Sequence, residues 1–207
     1  MQEEEVEMKK DKSCSLFPYV QEDVLSLQDA EQKAGWSITA FDLPAAWQKC
    51  RGEDVKVAVL DTGCDLDHPD LKSNLLPGIN MVDPSREPWD DNNHGTHVSG
   101  IIAAENNSIG MVGVAPMCKI VPVKVLDGNG NGSLVTVAQG IRWAADVAKV
   151  DLICMSLGSP NPVQEVRKAI QYARFKGVVC FVAAGNAGLT KSIFYPANYP
   201  ETVAIGS

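Results

Sequence analysis

Short apolar runs alternate with helix-like segments along most of this 207-residue chain. The runs are rich in β-branched residues, which is typical of strands buried on both faces. They predict strands at Val55–Leu60, Lys119–Leu126, Asp151–Leu157, Val178–Ala183 and Thr202–Ile205. Strands separated by helices pair in parallel, so the sequence predicts an α/β fold with a mostly parallel sheet and helices on both faces. The sheet is expected to be incomplete at the C-terminus, because the chain stops inside its last predicted strand region.

One helix is predicted before the first of these strands and three between successive strands, and Ser133–Lys149 has its apolar residues at helical spacing. The predicted helices are Asp42–Lys49, His94–Ala104, Ser133–Lys149 and Val163–Lys176. Asp42 and Ser133 are predicted to cap their helices, because short polar side chains accept hydrogen bonds from the first backbone N–H groups. Gly177 is predicted to end the last helix. The glycine-rich segment 128–132 is predicted to be a loop.

The charge distribution separates an N-terminal extension, residues 1–35, from a domain of residues 36–207. The extension carries nine acidic and four basic side chains, and the whole chain has a net charge of −8. An acidic protein is a poor partner for nucleic acid. No apolar run has the length of a signal region or a membrane span, so no membrane partner is expected. Six cysteines without a CxxC pair then indicate a reduced, cytoplasmic protein without disulfides.

Polar or glycine-rich turns follow three of the predicted strands. They are Asp61, Ser156–Ser159 and Ala184–Asn186. The carboxyl ends of parallel strands lie at one edge of a sheet, where ligands bind. These turns are therefore expected to form one site. His94 opens a helix of small residues, NNHGTHVSGIIAA, and is expected to face the same cleft.

His94 and Asp61 are the candidate catalytic pair. An imidazole titrates near neutral pH and can serve as a general base, and a carboxylate held at the end of a buried strand can orient the ring. The alternative for Asp61 is a turn residue in Asp-Thr-Gly. His94 and His97 also form an HxxH pair, but the chain lacks further ligands placed for zinc, and His68 is interpreted as a turn residue.

The remaining turns predict a groove for an extended peptide. Asn186 can donate its side-chain amide to a developing oxyanion, although a plain turn asparagine fits the same position. The 128–132 glycines match neither phosphate-binding fingerprint, which argues against a nucleotide site. They are interpreted as a wall of the groove, and Ser156–Gly158 as backbone to which a peptide can add as a strand.

An apolar island, Leu16–Val20, interrupts the acidic extension. Pro18 excludes a regular helix there and favours an extended conformation. An extended apolar segment needs a surface that shields it from water. The island is therefore predicted either to lie in the substrate groove or to form an arm on the domain's own surface.

Five motifs together resemble the subtilisin-like serine proteases in order and spacing. They are DTGCDLDHPDL, NNHGTHVSGIIAA, VPVKVLDGNGNGS, ICMSLGS and VVCFVAAGN, within Gly35–Ser207. The resemblance implies a serine endopeptidase (EC 3.4.21 class) acting on proteins and peptides, in which Asp61 and His94 belong to an Asp-His-Ser triad and Asn186 to the oxyanion hole. The implied substrate-binding residues are Gly130, Gly132, Ser156, Leu157, Gly158, Ala184 and Gly185.

Within this family, the chain most resembles the bacterial intracellular subtilisins. The resemblance rests on the cysteine of DTGCD, the missing signal sequence and the acidic charge. In that group a short LIPY-type propeptide lies across the active site and keeps the zymogen inactive. The resembling inhibitory segment here consists of Leu16, Phe17, Pro18 and Tyr19. The resemblance thus implies that residues 1–35 are the protein's own inhibitory propeptide. A homodimer is a further candidate assembly of the full-length protein.

The resemblance also implies a structural calcium ion. The implied ligands are the carboxylate of Asp70, the side-chain oxygen of Asn107 and the backbone carbonyls of Glu105, Ile109 and Met111. Oxygen ligands from a loop suit a hard cation such as calcium, although a solvated loop is the alternative. One more ligand near the N-terminus is expected at Glu31 or Gln32.

The nucleophile is missing from these 207 residues. The serine of the family lies in a GTSMA-type motif, which does not occur here. The expectation is therefore the N-terminal part of a protease, inactive by itself, since loss of the serine in subtilisin costs about 10⁶-fold in kcat. The alternative is a non-catalytic, truncated homologue that binds peptides.

Overall fold

The computed structural model describes residues 12–17, 32–186, 188 and 193–206. Its strands are β1 (Ser13–Leu16), β2 (Lys56–Asp61), β3 (Ile79–Asn80), β4 (Lys119–Lys124), β5 (Asn131–Ser133), β6 (Leu152–Met155), β7 (Leu157–Gly158), β8 (Val179–Ala183) and β9 (Val203–Ile205). Its α-helices are α1 (Trp36–Ala40), α2 (Leu43–Trp47), α3 (His94–Ala103), α4 (Leu134–Trp143) and α5 (Gln164–Phe175). A 3₁₀ turn spans Lys72–Asn74, and a π-helical turn spans Ala144–Ala148.

A parallel sheet of six strands forms the centre of the molecule, in the order β3-β4-β2-β6-β8-β9. Every neighbouring pair in this sheet runs parallel. β2 lies in the interior, with Val57 opposite Ile120 on β4 and Leu152 on β6. This architecture confirms the predicted α/β fold with its mostly parallel sheet.

Both faces of β2 are covered. Ala58 and Leu60 belong to the larger core cluster, together with side chains of α4 and α5. Val57 and Val59 belong to a smaller cluster that includes Ala103 of α3. Because side chains alternate across a strand, β2 is held between two helical layers. Burial of this apolar surface stabilises the fold by roughly 25 cal/mol per Å² and fixes the position at which β2 ends.

A second, smaller sheet consists of three antiparallel strands in the order β5-β1-β7. Asn131 and Gly132, which the sequence predicts as part of a loop, belong to β5. That prediction is wrong at these two residues because their partner strand, β1, comes from a distant part of the chain. Cys14 lies opposite Gly132, and Leu16 lies opposite Leu157.

The ends of several elements differ from the predictions. Asp42 precedes α2 in the left-handed region, with φ at 48°, and its side chain makes no capping hydrogen bond, so its predicted capping role is wrong. Ser133 does cap α4, because its side chain accepts a hydrogen bond from the N–H of Val135. Gly177 follows α5 with φ at 88°, as predicted for a helix end. Elements as short as α1 and β3 have no readable periodicity.

All six cysteines are free thiols. Burial raises the pKa of Cys14, Cys64 and Cys180 to about 12, so these thiols are protonated at neutral pH. Across the described part of the chain, none of the helices has the length and apolar character needed to span a bilayer.

Candidate active site

Asp61 lies at the carboxyl end of β2 and has no exposed surface. Its Oδ1 accepts a hydrogen bond from the N–H of Thr62 at 2.7 Å. A buried carboxylate is costly unless such donors surround it. The sheet therefore presents Asp61 as a rigid acceptor at the edge where the sequence predicts the site.

His94 is the first residue of α3, and its ring contacts Asp61. The Nδ1 atom lies 2.8 Å from Oδ1 and 3.0 Å from Oδ2 of the carboxylate. Since a carboxylate accepts hydrogen bonds, the geometry assigns Nδ1 as the ring nitrogen that donates to Asp61. The Nε2 atom is then the one that can take a proton from a nucleophile. The structure thus brings together the two residues that the sequence pairs.

The contact between the two residues depends on how closely α3 approaches β2. A Cβ atom at Gly95 would collide with the carbonyl oxygen of Gly63 and lie 3.2 Å from the Cβ of Asp61. The N–H of Gly95 donates instead to Oγ1 of Thr62 at 3.0 Å. The helix can begin at this point because glycine has no side chain to occupy that space.

β1 occupies a groove between β5 and β7. The N–H of Leu16 donates to the carbonyl of Gly130 at 2.9 Å. Ser15 lies opposite Asn131 on one side and Gly158 on the other. The groove therefore binds an extended segment through backbone pairing on both of its edges.

Phe17 lies in a pocket next to this groove. A Cβ atom at Gly158 would lie 2.5 Å from Cζ of Phe17, and one at Gly185 would lie 3.3 Å from its Cε1. Two glycine backbones thus leave room for the ring. Phe194 contacts Phe17 edge to face, with the ring centroids 5.4 Å apart. The sequence does not point to Phe194, because a phenylalanine outside any motif carries no signal.

The other predicted groove residues are placed as follows. Gly132 pairs with Cys14, and Leu157 pairs with Leu16. Ala184 supports the pocket, because its carbonyl accepts a hydrogen bond from the N–H of Phe194 at 3.1 Å. Asn186 is exposed and follows directly after Gly185, and Ser156 lies between β6 and β7. Pro18, Tyr19, Glu31 and Ser207 lie outside the described residues.

Oxygen atoms of the loop after α3 gather around the side chain of Gln32. The amide Nε2 of Gln32 lies 2.6 Å from the carbonyl oxygen of Glu105. It lies 3.3 Å from both Oδ1 of Asn107 and the carbonyl oxygen of Ile109. Three of the implied calcium ligands therefore face one point, and the side chain of Gln32 lies at that point.

Asp70 closes the other side of this loop. Its Oδ1 accepts a hydrogen bond from Nδ2 of Asn107 at 2.7 Å, and its Oδ2 accepts one from the N–H of Met111 at 3.2 Å. Burial raises the pKa of Asp70, and the hydrogen bonds from Asn107 and Met111 oppose this effect. Met111 thus contacts Asp70 through its backbone N–H, whereas the resemblance implies its backbone carbonyl as a calcium ligand.

Comparison with known protein families supports the α/β fold. The profile of the Subtilase family matches residues 52–207. This chain belongs to the subtilase family. The matched region contains Asp61, His94 and Asn186 and begins after β1.

Three relatives of this subtilase share about two fifths of its residues. The major intracellular serine protease of Bacillus subtilis (strain 168) is 41% identical over 203 residues, which cover 93% of this chain and 62% of that protein. The intracellular serine protease of Paenibacillus polymyxa is 39% identical over 205 residues, or 95% and 62% of the two chains. Subtilisin E of Bacillus subtilis (strain 168) is 42% identical over 206 residues, or 97% and 52%. The chain spans 52–62% of the length of these relatives.

Replacing Gly95 by alanine should force the start of α3 away from β2. We expect a loss of about 1–3 kcal/mol in the free energy of unfolding, as for other overpacked sites, together with a weakened His94–Asp61 hydrogen bond. Gly100→Ala is the matched control, because a Cβ atom there meets nothing within 4 Å. It should leave stability unchanged or raise it by up to about 1 kcal/mol. Urea unfolding of the two variants tests this, and equal stabilities would contradict the close-approach explanation.

Proposed function

We propose that this subtilase serves in peptide-bond hydrolysis as a serine endopeptidase, with His94 as general base and acid and Asp61 as the residue that orients its ring. The observation that supports the proposal is the 2.8 Å contact between Nδ1 of His94 and Oδ1 of the buried Asp61. The order along the chain, aspartate before histidine, is that of subtilisin. The names of the relatives describe serine proteases as well.

The proposed chemistry assigns one task to each group. His94 accepts the proton of a serine hydroxyl on Nε2 while the serine oxygen attacks the peptide carbonyl carbon, and it then gives that proton to the leaving amine. Asp61 keeps the ring in the required tautomer and stabilises the imidazolium. Asn186 is the proposed side-chain donor to the oxyanion. The proposed nucleophile is the serine of the family's GTSMA-type motif, which does not occur in these 207 residues.

Alanine at His94 should abolish peptide cleavage by the complete gene product. The expected loss in kcat is about 10⁶-fold, which is the effect of removing the corresponding histidine in subtilisin. His97→Ala is the matched control, because His97 is exposed on the same helix. It should keep the wild-type rate, as measured with a chromogenic peptide.

The same assay separates the alternatives. Comparable losses in His94→Ala and His97→Ala would favour the zinc interpretation of the HxxH pair. A wild-type protein that binds peptides in the groove without cleaving them would favour the non-catalytic, peptide-binding homologue. That second candidate is supported by β1, an extended segment that pairs with both β5 and β7.

We also propose that β1 belongs to an inhibitory propeptide, residues 1–35, and that substrates bind the catalytic domain, residues 36–207, in the same way. β1 occupies both edges of the groove through backbone hydrogen bonds, and Phe17 fills the adjacent pocket. A substrate can enter only when this segment leaves. The exposed ion pair between Lys12 and Glu165, 3.1 Å long, adds little to its retention.

Replacing Phe17 by alanine should weaken this inhibition. The variant loses the burial of an aromatic side chain and its edge-to-face contact with Phe194. We expect the initial cleavage rate of the unprocessed protein to rise by roughly 10- to 100-fold. Phe175→Ala is the matched control, because Phe175 is 84% exposed at the end of α5 and its loss should not change the rate. Equal rates in the two variants would rule out Phe17 as an inhibitory anchor.

We propose that calcium binds between Gln32, Asp70 and the loop of residues 105–111. The donor set fits, because carbonyl, amide and carboxylate oxygens are the ligands that this hard cation prefers. Asp70 would supply a charged oxygen, Asn107 an amide oxygen, and Glu105, Ile109 and Met111 carbonyl oxygens. The amide group of Gln32, whose Nε2 faces these oxygens here, would turn its own oxygen towards the ion. A bound cation would cross-link the N-terminal segment to α3 and so stabilise the fold.

Calcium should therefore raise the melting temperature of the protein, and Asp70→Asn should remove most of that increase. Asp67→Asn is the matched control, because its carboxylate forms an exposed ion pair with Lys72. Thermal unfolding with calcium, magnesium and a chelator provides the measurement. An identical response of the two variants to calcium would exclude Asp70 as a ligand.

We also propose that the protein is cytoplasmic and that its full-length form is a homodimer. The names of two relatives, both intracellular serine proteases, support the location. Size-exclusion chromatography of the complete gene product would determine its assembly.

A further inference from the structure

We propose that Asp90 is the positioning residue of the Asp61–His94 pair. It binds both Thr62, which follows Asp61, and Thr96, which lies two residues after His94. The proposal rests on the proposed function and adds to it a residue outside the triad and the oxyanion hole. It accounts for how an aspartate on a strand and a histidine on a separate helix are kept at hydrogen-bond distance.

The carboxylate of Asp90 accepts five hydrogen bonds. Oδ1 accepts from Oγ1 of Thr62 at 2.8 Å and from the N–H groups of Asn92 and Asn93, each at 3.0 Å. Oδ2 accepts from the N–H of Thr96 at 2.8 Å and from its Oγ1 at 2.6 Å. Both oxygens are thus used, and they face different segments.

Thr62 connects this network to the catalytic pair. Its N–H donates to Oδ1 of Asp61 at 2.7 Å, and its Oγ1 accepts from the N–H of Gly95 at 3.0 Å. A hydroxyl has one proton, so the proton of Thr62 is directed to Asp90. The segment after Asp61 and the first turn of α3 therefore share one hydroxyl whose orientation Asp90 sets.

The charge of Asp90 is part of the arrangement. Partial burial alone would raise the pKa of Asp90, but the hydrogen bonds from Thr96, Asn92 and Thr62 outweigh this effect and hold the pKa below its usual range. The group is therefore an anion at neutral pH. Every one of its five partners is a donor, so an anionic acceptor satisfies them all at once.

An asparagine cannot replace Asp90, although it has nearly the same shape. Its amide group would place N–H donors at the position of one carboxylate oxygen. That group would then face either Thr96 or the donors from Thr62, Asn92 and Asn93. Unpaired donors in a half-buried network are costly and move apart.

Asp91 and Asn92, which follow Asp90, attach the loop of residues 81–93 to other elements. Asp91 accepts from Nζ of the buried Lys124 at 2.6 Å, and that ammonium also donates to the carbonyl of Thr62. Nδ2 of Asn92 donates to the carbonyl of Gly128 at 3.0 Å. These contacts hold the loop on β4 and the groove wall, whereas the side chain of Asp90 is the one that bridges to Thr62 and Thr96.

The test compares Asp90→Asn with Asp83→Asn in the complete gene product. Asp83 lies earlier in the same loop and accepts hydrogen bonds from Ser85, so its replacement removes one charge without touching Thr62 or Thr96. We expect Asp90→Asn to lower kcat by roughly 10- to 100-fold with KM within about twofold, since small displacements of catalytic groups have effects of this size. Asp83→Asn should match the wild type in both.

A second readout does not require activity. The downfield NMR resonance of the Nδ1 proton of His94 reports its hydrogen bond to Asp61. It should broaden or shift in Asp90→Asn and stay unchanged in Asp83→Asn. If the wild type cleaves no peptides, the proposed function fails, and this resonance still tests the positioning role.

Thr62→Val provides a test should Asp90→Asn fail to fold. Valine keeps the shape of threonine but cannot donate to Asp90 or accept from Gly95. It should reproduce the loss in kcat and the change in the His94 resonance. A wild-type kcat together with a wild-type His94 resonance in Asp90→Asn would overturn the proposal. If Asp90→Asn does not fold, the same result in Thr62→Val would overturn it.

Discussion

A carboxylate without access to water determines how the site is built. Burying Asp61 costs several kcal/mol unless hydrogen-bond donors replace the lost water. Thr62 provides one donor from its own backbone, and His94 provides the other from the first turn of α3. That turn must therefore begin against the end of β2, which requires Gly95. Ser99 fits the same tight packing, because its buried hydroxyl donates to the carbonyl of Gly95.

The groove contacts β1 and Phe17 in two ways, through backbone pairing and through a side-chain pocket. β5 and β7 are short strands, and pairing with β1 satisfies backbone groups on each of them. Backbone pairing depends little on side chains, so it suits a segment of many sequences. The pocket around Phe17 is different, because Gly158, Gly185 and Phe194 contact the side chain rather than the backbone of the bound segment. In the proposed function, inhibition and substrate binding would therefore use the same contacts, and the chain's own segment would be favoured by its attachment.

Several features of the sequence were sufficient to predict the fold and part of the site. The long apolar runs predict the main strands because burial on both faces demands such runs. Asp61 is placed correctly at the carboxyl end of β2, since strand ends can be read from the pattern. The short strand β3 could not be predicted, because two residues show no period. Asn131 and Gly132 form a strand only because β1 lies next to them.

The sequence by itself determined which chemical groups are present and where each lies along the chain. That order includes the alternation of strands and helices, the small residues after His94 and the oxygen-rich loop after α3. Only the tertiary structure decided which distant groups meet, such as Asp90 with Thr62, Phe194 with Phe17 and Gln32 with Glu105. The physical reason is that secondary structure depends on neighbours a few residues apart. Contacts between loops depend instead on how the sheet and its helices pack, which no local pattern records.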